Sequence, residues 1–206
     1  MCKLLLNTAY FPPVHYFFRI KQHTDVTIEQ YEHYGKQSYR NRCEIMSANG
    51  VMPLSIPIKK ASTPKFFTKD ARVDYDVNWQ KIHFKAIESA YKNSPFYDYY
   101  MDDYMEVFKN KEVFLLDLNT KILHTVLEHI GINKEIGYSE DYISATEGYC
   151  DMRDAIHPKS SKRMIEDSEF IPKPYQQTFC DRFPFTPNLS IIDLLFNTGP
   201  EAKLFL

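Results

Sequence analysis

Lys3-Leu4-Leu5-Leu6-Asn7-Thr8-Ala9-Tyr10-Phe11-Pro12-Pro13-Val14-His15-Tyr16-Phe17-Phe18-Arg19-Ile20 is the stretch on which the fold turns. Residues 3–6 are a short apolar run, the pattern of a buried strand. Proline is tolerated in the first turn of a helix, so Pro13 marks the start of one through Val14–Ile20. Asp25-Val26-Thr27-Ile28-Glu29-Gln30 then alternates and carries β-branched residues, which predicts a second strand. With a helix between them, the two strands pair in parallel. An α/β fold opening on strand, helix, strand is the consequence.

Working outward, Asn41–Lys60 contains two extended runs around Asn49-Gly50, a dipeptide that favours a tight hairpin because both positions accept positive φ. Pro53 and Pro57 place the second arm at a sheet edge, and a further strand is expected at Ala71–Tyr75. From Asn78 the period turns helical. Trp79, Ile82, His83, Ala86, Ile87, Ala90 and Tyr91 share one face. An aromatic stripe through Tyr97, Tyr100, Met101, Tyr104 and Phe108 makes a second helix, and Leu115 to Ile130 a third, capped by Gly131. Residues 139–187 are turn-rich and are expected to form an extended C-terminal arm, irregular in structure and packed on the body. A short final helix follows, with Ser190 and Asp193 at capping-box spacing and Gly199-Pro200 as terminators. Residues 1–206 are expected to be a single α/β domain.

The 206 residues include 25 Lys plus Arg and 27 Asp plus Glu, a formal charge of -2. No basic field draws in phosphate backbone, which disfavours a nucleic-acid binder. The N-terminal apolar run is too short for a signal peptide and no stretch suits a membrane span, so a cytoplasmic protein without membrane insertion is expected. Cys2, Cys43, Cys150 and Cys180 lie far apart with no Cys-x-x-Cys, so they are expected to be reduced and structural, with no metal site. Fifteen Tyr and 15 Phe against 6 Gly mark an aromatic-rich, glycine-poor chain, ill-suited to a phosphate-cradling loop.

Walker A, Gly-x-Gly-x-x-Gly, Gly-x-Ser-x-Gly and His-Glu-x-x-His patterns are absent. What remains are polar clusters where elements end. Asn7–Tyr16 sits at the carboxyl end of the first strand, where open α/β sheets bind ligands, and His15 there can act as acid, base or phosphate partner. Its plainer reading is a histidine held in an aromatic wall. Lys36-Gln37-Ser38-Tyr39-Arg40-Asn41-Arg42 brackets an asparagine with arginines, and strand alternation would turn Arg40 and Arg42 to one face as paired forks for an anion. Asp and Glu are absent from residues 33–43, which weakens a local salt-bridge account, while Lys36 alone reads as a solvated charge. His83, on an apolar helix face, is by itself a core histidine. His124 and His129, five apart, do not share a helix face and make no metal pair.

Tyr10-Phe11-Pro12-Pro13-Val14-His15-Tyr16-Phe17, Tyr39-Arg40-Asn41-Arg42, Leu54-Ser55-Ile56-Pro57-Ile58, Trp79-Gln80-Lys81-Ile82-His83, Tyr91-Lys92-Asn93-Ser94-Pro95-Phe96 and Leu189–Pro200, taken in order, resemble the WbqC-like proteins. These are bacterial proteins often encoded with surface-polysaccharide and O-antigen (lipopolysaccharide) genes. Glu29-Gln30-Tyr31-Glu32 stands near an acidic position of the longer family pattern, and the tail is similar to a shorter subgroup. The resemblance implies a transferase moving glycine or another acyl group onto a sugar precursor. Applied to this chain, Arg40 and Arg42 would hold the phosphate or carboxylate of an activated small-molecule donor. Asn41 would orient it, His15 or His83 would be the base, and Asp193 would orient a histidine. Tyr10, Tyr39 and Tyr175 would supply stacking faces, with Lys36, Gln177 and Asn197 as further substrate contacts. This requires His15, Arg40, Arg42 and His83 to face a common cleft. The sequence names no cofactor and leaves homo-oligomerisation open. Nucleotidyl transfer is an alternative, since Phe-Pro-Pro followed by a helix-borne histidine is similar to paired-histidine nucleotidyltransferases, although the second histidine is missing. A non-catalytic carbohydrate- or partner-binding module is another.

Overall fold

The computed structural model describes residues 2–61, 63, 65–144, 148–159 and 166–206. Strand β1 (Lys3–Asn7) leads through Pro13 into helix α1 (Val14–Gln22) and strand β2 (Val26–Glu29). β1 and β2 pair in parallel with Leu4 opposite Val26 and Leu6 opposite Ile28, as the alternation and the helical crossover predict. Strands β5 (Ile136–Tyr138) and β6 (Tyr149–Asp151) complete a four-stranded parallel sheet in the order β5-β2-β1-β6. Leu4, Leu5 and Leu6 are wholly buried, the expected fate of an apolar central strand. β6 lies within the segment expected to be irregular. It is too short for a periodic signal and exists because β1 offers it an open edge.

β3 (Arg42–Ser47) and β4 (Gly50–Ser55) form the expected hairpin as a separate two-stranded sheet. Its turn differs from expectation. Ser47 pairs with Gly50, so Ala48 and Asn49 occupy the corner and only Gly50 has positive φ, 98°. The glycine absorbs the left-handed residue that follows such a corner, and Asn49 is spared it. Ala71–Tyr75 makes isolated bridges, Arg72 to Phe114 and Val73 to Ile58, rather than a strand.

Helices α2 (Trp79–Tyr91), α3 (Tyr97–Lys109) and α4 (Leu115–Ile130) follow the periodicity. Asn78 caps α2 through Lys81 N–H, and Gly131 closes α4 at φ 70°, with Ile132 N–H returning to the Leu127 carbonyl. On α2 the buried face is Trp79, Gln80, His83, Ile87, Ala90 and Tyr91, whereas Ile82 is 57% exposed. Gln80 reaches inward to donate to the Asn110 carbonyl at 2.6 Å, which rotates the face away from Ile82.

Helix α5 (Ile191–Thr198) docks on the Pro12-Pro13 corner: Val14 N–H bonds the Leu189 carbonyl and Ile191 N–H the Pro12 carbonyl. Ser190 occupies the N-cap position but its hydroxyl donates to the Phe11 carbonyl at 2.8 Å, so the expected capping box does not form. Phe11 holds φ 38°, a region that costs a non-glycine residue about 1–2 kcal/mol, while its fully buried ring packs on Tyr10, Tyr104 and Phe108. None of the helices formed by the described residues is long and apolar enough to cross a membrane.

Candidate functional site

The open end of the hairpin and the segments before and after it line a cleft of about 510 Å³. Lys36, Gln37, Asn41, Arg42, Lys59 and Lys60 line it, together with the rings of Tyr34 and Phe66. The last two rings stack at 5.3 Å and 18°. The lining is stiff because Asn41 and Ile56 exchange backbone and side-chain bonds: Asn41 Nδ2 donates to the Ile56 carbonyl and Ile56 N–H to the Asn41 carbonyl, both at 2.8 Å. Asn41 Oδ1 is buried and has no hydrogen-bond partner among the described residues. Arg42 Nε donates to Ser55 Oγ at 3.2 Å. Among the described residues Lys36, Arg42, Lys59 and Lys60 make no ion pair, and the described lining contains no Asp, Glu, His or Cys. Burial pushes the Tyr34 phenol up to about 12, so it stays a hydroxyl. The result is a cleft lined by an aromatic pair whose charged residues, among those described, are all positive.

At the carboxyl ends of the parallel strands, the expected ligand crevice is filled. Asn7, Thr8, Tyr39, Arg40, Met152 and Ile156 leave only about 10 Å³, room for roughly one water. Asn7 Nδ2 bonds the Arg153 carbonyl at 2.8 Å across the β1–β6 boundary. Glu29, wholly buried, accepts from Ser139 Oγ and from the backbone of Tyr31 and Ile143, each at 2.8 Å.

Arg40 does not share a face with Arg42. It lies in a turn before β3 and forks onto Glu32, with Nε–Oε1 at 2.6 Å and Nη2–Oε2 at 2.5 Å. The acidic partner that residues 33–43 lack stands one step outside that window. Burial pushes the Glu32 carboxyl above its ordinary value even against the pull of Arg40.

The two histidines do not join the cleft or each other. His15 Nε2 meets Asp167 Oδ2 at 2.5 Å and its ring stacks on Phe170 at 4.2 Å, both residues of the C-terminal arm. Asp167 also takes the Arg19 guanidinium. Burial raises this carboxyl, but the bonds from Arg19 and His15 outweigh it and hold it below the carboxylate range. His83 is 3% exposed, bonded at Nδ1 to Tyr10 Oη at 2.9 Å and edge-on to Trp79, and burial lowers its pKa to about 4. It is neutral and enclosed.

Asp193 orients tyrosines rather than a histidine. Wholly buried, it accepts from Tyr91 Oη at 2.8 Å, Tyr175 Oη at 2.6 Å and Gln177 Nε2 at 3.0 Å. Asn197 donates to the Asp193 carbonyl at 2.7 Å. This network fastens the arm to α2 and α5, so Tyr175, Gln177 and Asn197 are spent on structure. Tyr10 and Tyr39 are buried and offer no stacking face. Of the expected substrate contacts the cleft keeps Lys36, Asn41 and Arg42.

Residues 8–204 match the family model described as WbqC-like protein family, a span that holds the whole cleft, both histidines and the Asp193 network. The chain belongs to the WbqC-like family. It is also similar to the uncharacterised protein Rv1507c of Mycobacterium tuberculosis, 23% identical over 222 residues, covering 98% of this chain and 96% of that protein. No solved structure matches it. In this WbqC-like chain the cleft residues that sequence reasoning missed are Lys59, Lys60 and the stacked Tyr34–Phe66 pair. Lys59-Lys60 directly follows the extended run Leu54–Ile58, and a basic pair at the mouth of a hairpin was the signal that could have found them.

Proposed function

We propose that this WbqC-like protein is a cytoplasmic group-transfer enzyme of bacterial surface-polysaccharide biosynthesis that binds an anionic activated donor in the hairpin cleft. The observation that carries this reading is the cleft itself: Lys36, Arg42, Lys59 and Lys60 line it together with the stacked Tyr34–Phe66 pair, with no carboxylate in the described lining. Arg42 and the lysines suit the phosphate or carboxylate of the donor, and the stacked Tyr34–Phe66 pair suits a base or sugar face. For an acyl donor the acceptor attacks the carbonyl carbon. The new bond forms to carbon and the bond to the leaving group breaks. That group departs with the electron pair, its negative charge stabilised by the cations. Because no histidine or carboxylate lines the described cleft, an acceptor amine that is its own nucleophile fits better than a hydroxyl needing a base, and its surplus proton goes to water.

The test is a thermal-shift panel of nucleotide-sugars, nucleotides, acyl thioesters and aminoacyl donors with wild type and Arg42→Ala. A ligand at about 100 times its dissociation constant adds about 2.7 kcal/mol of stability. The reading expects a shift from an anionic donor that shrinks with salt and in Arg42→Ala. Shifts from neutral oligosaccharides alone would favour the carbohydrate-binding module, whose support is the stacked ring pair.

A further inference from the structure

We propose that Cys2, His23 and Cys150 form a binding site for one soft divalent cation of the zinc type, remote from the cleft. The pattern along the chain gives no hint of it; topology brings the two cysteines together. β1 and β6 run parallel with Leu4 opposite Cys150, and alternation turns Cys2 to the same face as Leu4. Both thiols therefore stand side by side at the amino end of the sheet, where α1 ends with His23 at its C-cap. The Sγ atoms of Cys2 and Cys150 and a ring nitrogen of His23 lie within 4.8 Å of one another, and both thiols are free. Tetrahedral zinc, with Zn–S about 2.3 Å and Zn–N about 2.0–2.1 Å, needs ligand separations of roughly 3.6–3.8 Å, a closure within reach of side-chain rotation.

His23 is already set for the role. Its Nδ1 lies 2.9 Å from the Arg19 carbonyl, which can only accept, so Nδ1 carries the proton and Nε2 the lone pair. Lys134 fixes the backbone around it by donating to the carbonyls of Ile20, Lys21 and His23. Thiolate and imidazole ligands select zinc-like ions over magnesium or calcium. Cys2 is exposed and the other two are half-buried, so the fourth position opens to water. Binding releases the two thiol protons to solvent and changes no oxidation state. Its effect is to tie the first strand, the end of α1 and the three-residue edge strand β6.

The experiment uses the full chain, reduced with a phosphine and stripped with chelator, titrated with Co2+ as optical probe and then with Zn2+. Expected are one equivalent of cobalt with sulfur-to-cobalt charge-transfer absorption, its displacement by zinc, and a raised melting temperature. Cys150→Ser and His23→Ala, each verified folded by circular dichroism, should weaken cobalt binding more than about tenfold. The proposal is overturned if no charge-transfer band appears, if Cys150→Ser keeps it at undiminished intensity and affinity, or if His23→Ala binds cobalt like wild type. It is equally overturned if Cys2 and Cys150 form a disulfide on mild oxidation to the same extent whether or not zinc is present.

Discussion

Acidification should destabilise the protein through His83. In the fold its pKa lies at about 4 because burial disfavours the charged ring; in the unfolded chain it returns to about 6.5. The unfolded state therefore takes a proton at a pH where the folded state refuses it. The contribution is fully present above about pH 6.5 and is lost as pH falls towards 4, at about 1.4 kcal/mol per pH unit. A gap of roughly 2.5 units makes the loss about 3 kcal/mol, a large share of a typical domain stability of about 5–15 kcal/mol. Urea unfolding across this range should be compared between wild type and His83→Gln, whose amide can still serve Tyr10 Oη but does not titrate. The variant should be less stable at neutral pH, and the curves should converge near pH 4. The His83 ring resonances should stay neutral through pH 5. Titration near 6.5, or parallel stability curves, would refute the enclosed-histidine reasoning and restore His83 as a base poised for catalysis.

Arg42→Ala should weaken binding of the proposed anionic donor about 10–100-fold, the value of one charge-assisted contact of about 1.5–3 kcal/mol, with a smaller salt dependence by calorimetry. Asp193→Ala strands the donors of Tyr91, Tyr175 and Gln177 and should cost about 3–5 kcal/mol in urea, whereas Asp193→Asn keeps an acceptor and should cost less. Burial raises the Asp193 pKa, so its ionisation opposes folding as pH rises through that raised value. The Asn variant should lack this component. Gly199→Ala places a Cβ 2.5 Å from the Phe96 ring at φ 57° and should cost about 2–4 kcal/mol; a loss under about 0.5 would show that the ring moves freely. Asp167→Asn removes a carboxylate whose stabilising effect is lost as pH falls through its lowered pKa, and should flatten the acid limb while loosening the arm to proteolysis.

The local elements were readable where a period or a breaker is strong: the apolar β1, the Pro13 entry into α1, the three central helices and Gly131. Short or partner-dependent pieces were not. β6 has three residues and takes its conformation from β1, and Ala71–Tyr75 has strand-like residues but only single bridges to use them on. The candidate site was legible in part. Lys36, Asn41 and Arg42 belong to a lining that alternation could suggest, but the same argument misplaced Arg40, because the chain turns before β3 begins and Glu32 waits across the turn.

By itself the sequence determined the class of fold, the helices, the hairpin position and the family, because backbone propensity, apolar period and ordered motifs are local properties. Tertiary structure alone decided what each polar group does. A buried His, Asp or Arg must find a partner or be neutralised, and the partners came from far along the chain: Tyr10 for His83, Asp167 for His15, Tyr91 and Tyr175 for Asp193. Lys36, Arg42, Lys59 and Lys60, which make no ion pair among the described residues, line the cleft, and the two cysteines that met did so because parallel pairing set residue 150 beside residue 4.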